Sequence, residues 1–307
     1  MKGSRPRVCV VGSFVIDLVF RVTRRPGPGE TMLADDFGMF LGGKGFNQAV
    51  GARRLGADVR MVGRVGNDHF GDMFTSKLDQ EGIDPGRVTR DPEAGTAIAS
   101  PIVDASGQNS IIAAPRANMR VTKDDVLAAE EQIAASDVLM LQFEIPAAAS
   151  RTAAEIARKH ETVVLLDPAP VEHGFERFAA PVDYIVPNEI EAHMLTGRMT
   201  PEEAGAVLLP ETRRGVVISL GGEGAMAIDR AALNRFPAHK VKVVDTTGAG
   251  DAFRAGLAVK IAEGAGLGEA VRFANACGAL ACTTMGAEPS MPKLDAVERF
   301  LGALGKE

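Results

Sequence analysis

The 307-residue sequence predicts an α/β fold in which one large, mostly parallel sheet is flanked by helices and accompanied by a smaller β-sheet. Short apolar runs rich in β-branched residues recur along the chain with amphipathic stretches between them, the pattern of parallel strands joined by helical crossovers. Two stretches, residues 18–41 and 96–113, break that rhythm and read as strand pairs without helices of their own. Several of the remaining runs give way at once to Gly, Asp, Asn or Glu. Polar groups therefore gather along one edge of the sheet, where open α/β sheets bind their ligands.

Taken in order, residues 8–11 form the first strand, and residues 18–41, with the turn PGPGE, supply the first strand pair. A helix opens in Leu41-Gly-Gly-Lys-Gly-Phe-Asn47 and ends at Leu55, with Gly56 as its stop. Residues 59–62 are a strand. Phe70, Met73, Phe74 and Leu78 then repeat at helical spacing up to Gly82, which supplies the left-handed position that ends such a helix. AIASPIVDASGQNSIIAA reads as two strands around Ser106-Gly107. Further strands are expected at residues 138–141, 163–166, 184–186, 216–220 and 241–244, the last leading through DTTGAGDAF into a helix that runs toward Glu263. No repeat, linker or low-complexity segment divides the chain. We expect a single domain over residues 1–307, with a discontinuous lid from about residues 18–41 and 96–114 closing over a site.

Apolar residues make up 46% of the chain and charged residues 24%, an ordinary globular composition. A net charge of −6, no Trp and one Tyr argue against a nucleic-acid partner, which needs a basic face or a stacking platform. The basic start and the apolar run after it are interrupted by Gly12, Ser13 and Asp17, and no small-residue cleavage site follows. No run reaches the roughly 18 apolar residues of a membrane span. Cys9, Cys277 and Cys282 lack metal-type spacing and read as reduced packing thiols of a cytoplasmic protein. The expected partner is a small molecule.

At the polar edge stand Gly12 and Asp17 after the first strand, Glu144 after VLMLQ, Asp167 after VVLL, Asn188 after YIVP, Gly221 after VVISL and Asp245 after VKVV. Any one of them alone is explained as the cap of the next helix. Together they converge on one site. In Asp245-Thr-Thr-Gly-Ala-Gly-Asp251, the residues Gly248, Ala249 and Gly250 leave the backbone bare at a helix start, so N–H groups and the helix dipole form an anion hole. Fixed donors there stabilise the charge of a transferred phosphoryl group, with Asp251 beside it as the base. An isolated Asp in such a turn is equally an N-cap worth about 1 kcal/mol; the two threonines before it and the helix after it favour the base. Its place at a helix N-terminus predicts a lowered pKa.

Neither common nucleotide fingerprint fits. Lys44 is followed by Gly45 where a P-loop needs Ser or Thr, and Phe253 stands where a dinucleotide motif needs its third glycine. The glycines around Lys44 permit close backbone approach. Asp17 as acceptor and Asn47 as donor and acceptor suit a polyhydroxylated ligand, the alternative being a plain glycine turn capped by Asn47.

These segments resemble, in order and along nearly the whole chain, the ribokinase-like (PfkB-type) family of sugar kinases. The motifs that carry the resemblance are GSFVID, PGPGET, GGKGFNQAV, VGRVGNDHFG, LLDPAP, PNEIEA, SLGGEGA, DTTGAGDAF and GAEPSMP. The resemblance implies a three-layer, doubly wound core with a β-sheet lid that often forms a homodimer contact. It also implies ATP-dependent phosphorylation of a sugar hydroxymethyl group, with ribose as the acceptor. Deoxyribose, a nucleoside or a 2-keto-3-deoxy sugar acid are the alternatives, and a non-catalytic sugar-binding protein is the remaining one. Carried over, Asp251 is the base, and Gly248, Ala249 and Gly250 form the anion hole. Asp17, Gly43, Lys44, Gly45, Asn47 and Glu144 join Asp251 around the sugar. Asn188, Ser219, Leu220, Gly221, Gly222, Glu223, Gly224, Gly250 and Asn275 lie along ATP, while Glu191, spaced from Asn188 as N-x-x-E, helps to organise Mg²⁺ indirectly. A potassium site draws on Asp245, Thr247, Ala281, Thr284, Gly286 and Ser290, several through backbone carbonyls.

Four positions depart from the family pattern. Val15 and Phe46 are apolar where polar and small residues are usual, and either trim a hydrogen bond to one sugar hydroxyl or pack into the core, the second being expected. Arg116 and Arg254 stand where uncharged residues are common; either they meet an anionic substrate group or they are solvated, and again the second is expected.

Overall fold

In the computed structural model, residues 5–105, 108–171, 180 and 182–304 are described. The expected Ser106-Gly107 turn and the first residues of the basic start lie outside them. In chain order the main elements are β1 (Arg7–Val11), β2 (Val15–Arg21), β3 (Asp36–Gly42), α1 (Lys44–Arg54), β4 (Asp58–Gly66), α2 (His69–Glu81), β5 (Val88–Asp91), β6 (Ala97–Val103) and β7 (Asn109–Ala114). There follow α3 (Lys123–Leu127), α4 (Glu130–Ala134), β8 (Val138–Leu141), α5 (Ala147–Lys159), β9 (Val163–Leu166), β10 (Val182–Ile185), α6 (Glu189–Thr196) and α7 (Pro201–Leu208). The chain then forms β11 (Thr212–Ser219), β12 (Ala225–Asp229), β13 (Leu233–Phe236), α8 (Ala249–Ala262), α9 (Leu267–Ala281), α10 (Ala287–Ser290) and α11 (Leu294–Leu304).

β1 lies deep within a nine-stranded sheet of order β13-β12-β11-β10-β9-β8-β1-β4-β5. Its two faces explain the three layers. Val8 and Val10 pack into one hydrophobic cluster, while Cys9 and Val11 pack into the other. β8 alternates in the same way, Val138 and Met140 against Leu139 and Leu141. A strand buried on both faces needs no polar alternation, and both read as continuous apolar runs. β5, β4, β1, β8, β9, β10 and β11 run parallel, and β12 and β13 turn back antiparallel at one edge. The chain winds from β1 to β4 and β5, then returns to the far side of β1 as β8. The order therefore reverses between β1 and β8, and the loops after these two strands open a crevice at that switch point.

A separate four-stranded sheet has the order β3-β2-β6-β7. β2 pairs antiparallel with β3 and β6 with β7, and the two pairs join through parallel β2 and β6. Phe37 and Met39 on β3, together with Ile111 and Ile112 on β7, are exposed large apolar residues of this sheet.

The helix signals hold: α2 ends at left-handed Gly82, and Gly56 follows α1 with φ 98°. Residues 241–244, read as a strand, are not one. β13 already ends the sheet at Phe236, and no strand among the described residues pairs beyond it. Val243 and Val244 are exposed, and Val244 N donates instead to Cys282 O at 2.8 Å. Cys9 is fully buried, and burial pushes its thiol up to about 12, which suits a packing residue. Among the described residues no helix is long and apolar enough to cross a membrane.

Candidate active site

The switch point brings three chain segments together. Ser13, just after β1, donates through its hydroxyl to Glu144 Oε2, just after β8, and the same oxygen accepts the backbone N–H of Lys44 at 2.9 Å. Gly45 N donates to Ser13 Oγ, and Phe46 N to Ser13 O. α1 thus begins against the backbone of residues 12 and 13, where a Cβ on Gly45 would collide with main-chain atoms. Glycine is required there by proximity, as its place in the motif suggested.

α8 starts after Gly248, whose φ of 79° is left-handed; Ala249 N donates back to Thr246 O at 3.2 Å, while the N–H groups of Gly250 and Asp251 make no backbone hydrogen bond among the described residues. Asp251 is the third residue of that helix and is 7% exposed. It does not cap. Its Oδ2 accepts Asn47 Nδ2 at 2.9 Å and its Oδ1 accepts Gln48 Nε2 at 3.0 Å, so two consecutive amides of α1 hold the carboxylate by both oxygens. Asn47 lies inside α1 and is not its cap either; its buried Oδ1 has no hydrogen-bond partner among the described residues. An acceptor orphaned beside a carboxylate suits a ligand hydroxyl.

The lowered pKa expected for Asp251 is not found. Burial raises it above the usual carboxylate range, with Asp167 adding to the effect, and the Lys44 ammonium and the amides of Asn47 and Gln48 offset this only in part. The helix dipole is outweighed by desolvation. For a base this is the favourable direction.

Asp167, at the end of β9, is completely buried, and three donors converge on it. Gln48 Nε2 donates to its Oδ2 at 3.0 Å, Lys44 Nζ stands 3.5 Å from the same oxygen, and Arg254 Nη2 lies 3.0 Å from Oδ1. The Arg254 approach is electrostatic without the alignment of a hydrogen bond, so Oδ1 has no directed donor among the described residues. Burial works against the Lys44 ammonium, but Asp167 and Asp251 outweigh it and hold its pKa above the usual lysine range. Arg254 is therefore not the solvated arginine expected: it is 3% exposed, donates from Nε to Val186 O at 3.0 Å and pairs through Nη2 with Glu191 Oε2 at 3.1 Å. Neighbouring Asp167 and Glu191, far apart in sequence, make its burial possible. Arg116 is exposed and donates to Thr96 O, and Phe46 packs in the core against Phe14 and Phe74.

Asp17 lies on β2 of the small sheet, not in the loop after β1. Burial lifts its pKa to about 7, with the charges of Glu144 and Asp251 adding to the shift. Three carboxylates from separate parts of the chain thus lie within electrostatic reach of one another. Asn188 and Glu191 form a reciprocal capping box at the start of α6: Glu191 N donates to Asn188 Oδ1 and Asn188 N to Glu191 Oε2, both at 2.8 Å. Glu191 Oε1 takes no hydrogen bond among the described residues.

A cavity of about 550 Å³ opens on the other side of the α8 N-terminus. Ser219, Gly221, Gly222, Gly224, Gly250 and Asn275 line it as grouped from the sequence, whereas Leu220 is buried in the core and neither Glu223 nor Asn188 lines the cavity. Asn275 Nδ2 donates to Phe236 O and Pro237 O, which leaves Oδ1 as its available group. Sequence reasoning missed Ala238, His239, Lys240, Val241 and Val243, Phe253, and Gly278 and Ala279 of α9 as lining, and Cys282 lines the cavity as well. It also missed Gln48, whose signal was a second amide directly after Asn47 in a helix buried over eight residues. Beside the cavity, Asp245 accepts Thr247 N and Oγ1 through Oδ1 and Gly286 N through Oδ2. Burial works to raise its pKa, but those donors outweigh it and hold the carboxyl below the usual range. Cys282 O takes the N–H groups of Val244 and Asp245, Thr284 N donates to Ala281 O, and Ser290 Oγ lies 3.5 Å from Thr247 O, so the six residues form one loop cluster rich in oxygen.

Residues 5–294 match the model of the pfkB family of carbohydrate kinases. The chain is 38% identical to the ribokinase of Bacillus subtilis over 96% of this chain and 99% of that protein. Its structure resembles the ribokinase of Thermotoga maritima with a TM-score of 0.89 at 36% identity, covering 97% of this chain and 99% of the other. The Arabidopsis thaliana ribokinase, solved with ribose and ATP, gives a TM-score of 0.87 at 31% identity with the same coverage.

Proposed function

This chain belongs to the pfkB family of carbohydrate kinases, an ATP-dependent sugar kinase, and from that premise we propose that it phosphorylates the hydroxymethyl group of ribose with Asp251 as the base. One observation carries the proposal. Gly250 lines the 550 Å³ cavity, while Asp251, the next residue, is held from the opposite side by Asn47 and Gln48. That arrangement supports a nucleotide and a sugar meeting at one helix start.

Asn47, through its free Oδ1, together with Asp17, Glu144 and Lys44, orients the sugar hydroxyls. Asp251 takes the proton as the sugar oxygen bonds to the γ-phosphorus and the bond to ADP breaks. The N–H groups of α8 meet the charge spreading over the equatorial oxygens. Phe46 packs in the core, so its departure from the family pattern does not speak against ribose.

Asn275 and the glycines after β11 suit the nucleotide, since added bulk meets nothing at Gly222 and Asn275 keeps an unused acceptor. When bound, Mg²⁺ neutralises phosphate charge, and the unused Oε1 of Glu191 suits a water of such an ion. The oxygen-rich cluster of Asp245, Thr247, Ala281, Thr284, Gly286 and Ser290 fits a hard monovalent cation such as potassium, which stiffens the loop leading into α8. The exposed apolar Phe37, Met39, Ile111 and Ile112 support the small sheet as a lid and as the contact of a homodimer. Three free thiols support a cytoplasmic setting.

The test is ADP release with ATP, Mg²⁺ and K⁺ across pentoses, nucleosides and sugar acids. Ribose is expected to give the highest kcat/KM. No release above background with any acceptor would favour a sugar-binding protein without catalysis.

A further inference from the structure

Arg254 carries more than its ion pairs require. Nε and Nη2 are engaged by Val186 O, Asp167 and Glu191, yet Nη1 makes no hydrogen bond among the described residues. The side chain is 3% exposed, and Nη1 is not among the buried unpartnered atoms, so its unused N–H donors sit at the little surface the residue keeps, open to a ligand. Arg254 lies one helical turn after Gly250, and side chains on a helix lean toward its N-terminus. The guanidinium accordingly reaches back along α8: a Cβ on Gly250 would come within 2.6 Å of Nη1. Gly250 lines the nucleotide cavity at the mouth of the helix. The glycine leaves that flank open, and Asp167 and Glu191 hold the fork in place from behind.

We propose that Arg254 is a further catalytic residue, its Nη1 donating to an oxygen of the phosphoryl group in flight at the N-terminus of α8. The inference rests on the kinase reading above. Arginine suits the role because two of its nitrogens anchor the plane while the third is presented to a phosphate. The hydroxyl proton still goes to Asp251 and the leaving electron pair to ADP. Arg254 adds a fixed positive charge to the backbone donors, strongest where the equatorial oxygens gain charge.

The test compares wild type with Arg254→Lys and Arg254→Gln, both of which keep a donor for Asp167 and Glu191, with folding read from thermal melting. For a folded variant, kcat is expected to fall about 100-fold while the KM for sugar changes less than about threefold. Calorimetry supplies a readout independent of turnover: binding of ADP, Mg²⁺ and aluminium fluoride, which mimics the planar phosphoryl group, should weaken about 30-fold or more while ADP alone binds within about threefold of wild type. A folded variant with kcat within threefold of wild type overturns the inference, as does equal weakening of ADP with and without aluminium fluoride, the mark of a structural role. Wild type that releases no ADP with any acceptor overturns the kinase reading and this inference together; an active wild type beside an undiminished variant overturns this inference alone.

Discussion

Gln48 donates one side-chain amide to two acids: Nε2 lies 3.0 Å from Asp251 Oδ1 and 3.0 Å from Asp167 Oδ2. The proposed base and a buried carboxylate held by Lys44 and Arg254 are thereby tied through a single residue of α1. Gln48→Leu removes both bonds and leaves Gln142 Nε2 without its acceptor at 2.6 Å. We expect kcat to fall about 10- to 100-fold and stability by about 1–3 kcal/mol, read from steady-state kinetics and urea unfolding. Unchanged kcat would show that Asn47 alone suffices to hold the base.

Asp251→Asn keeps the shape and removes the proton acceptor. Turnover should fall by about 10²–10⁴-fold while ADP binding, measured by calorimetry, stays within a few fold. Because burial raises the Asp251 pKa, the charged form weakens the fold at neutral pH, so the variant should melt at the same temperature or higher at pH 8. Near-normal turnover would remove Asp251 from the reaction.

The Asp17 pKa of about 7 sets a pH dependence. A carboxyl whose folded pKa lies above its unfolded value binds more protons when folded. Its contribution is full below the unfolded value near 3.8 and is lost as pH rises through about 7. Stability should decline across that window by an amount of the order of a few kcal/mol, and Asp17→Asn should flatten the decline. The KM for sugar should fall as pH rises through about 7, since the ionised carboxylate is the better acceptor for sugar hydroxyls. A profile identical in wild type and Asp17→Asn would count against this.

Replacing K⁺ with Na⁺ should lower turnover about tenfold or more if the loop from Asp245 to Ser290 holds potassium, and Asp245→Ala should make the two salts equivalent. Equal rates for wild type in both salts would rule out a specific activating site.

Charge placed on the small sheet tests the proposed homodimer contact. Phe37 is 52% and Met39 43% exposed, and Phe37→Glu with Met39→Lys should shift the sedimenting species to monomer with little effect on melting. A wild type that sediments as a monomer would exclude the contact.

Strands β8 and β9 were legible residue by residue, because both are short apolar runs buried on two faces and bounded by polar groups. The two strand pairs were legible from turn chemistry. Residues 241–244 looked no different, yet periodicity cannot report that β13 already ends the sheet, leaving no neighbour to pair with. The polar edge was legible as a gathering of acids, and Asp251 stood out by its glycines. The pairing of those acids was not. Arg254 read as surface because the charges that compensate it, Asp167 and Glu191, lie 87 and 63 residues away along the chain and meet only in the fold. Desolvation of Asp251 was hidden for the same reason, since a local helix dipole is visible in sequence and burial is not.

Asn47 and Asp251 are 204 residues apart, and their hydrogen bond is made late in the life of the chain. At about 5–20 residues per second, a ribosome completes Asp251 roughly 10–40 s after Asn47. During that interval the emerging chain carries Asp17, Lys44 and Asn47 and lacks the proposed base. On the proposed role of Asp251, a translation product interrupted before it leaves nucleoside triphosphate untouched, and only the nearly finished polypeptide draws on the cell's energy supply.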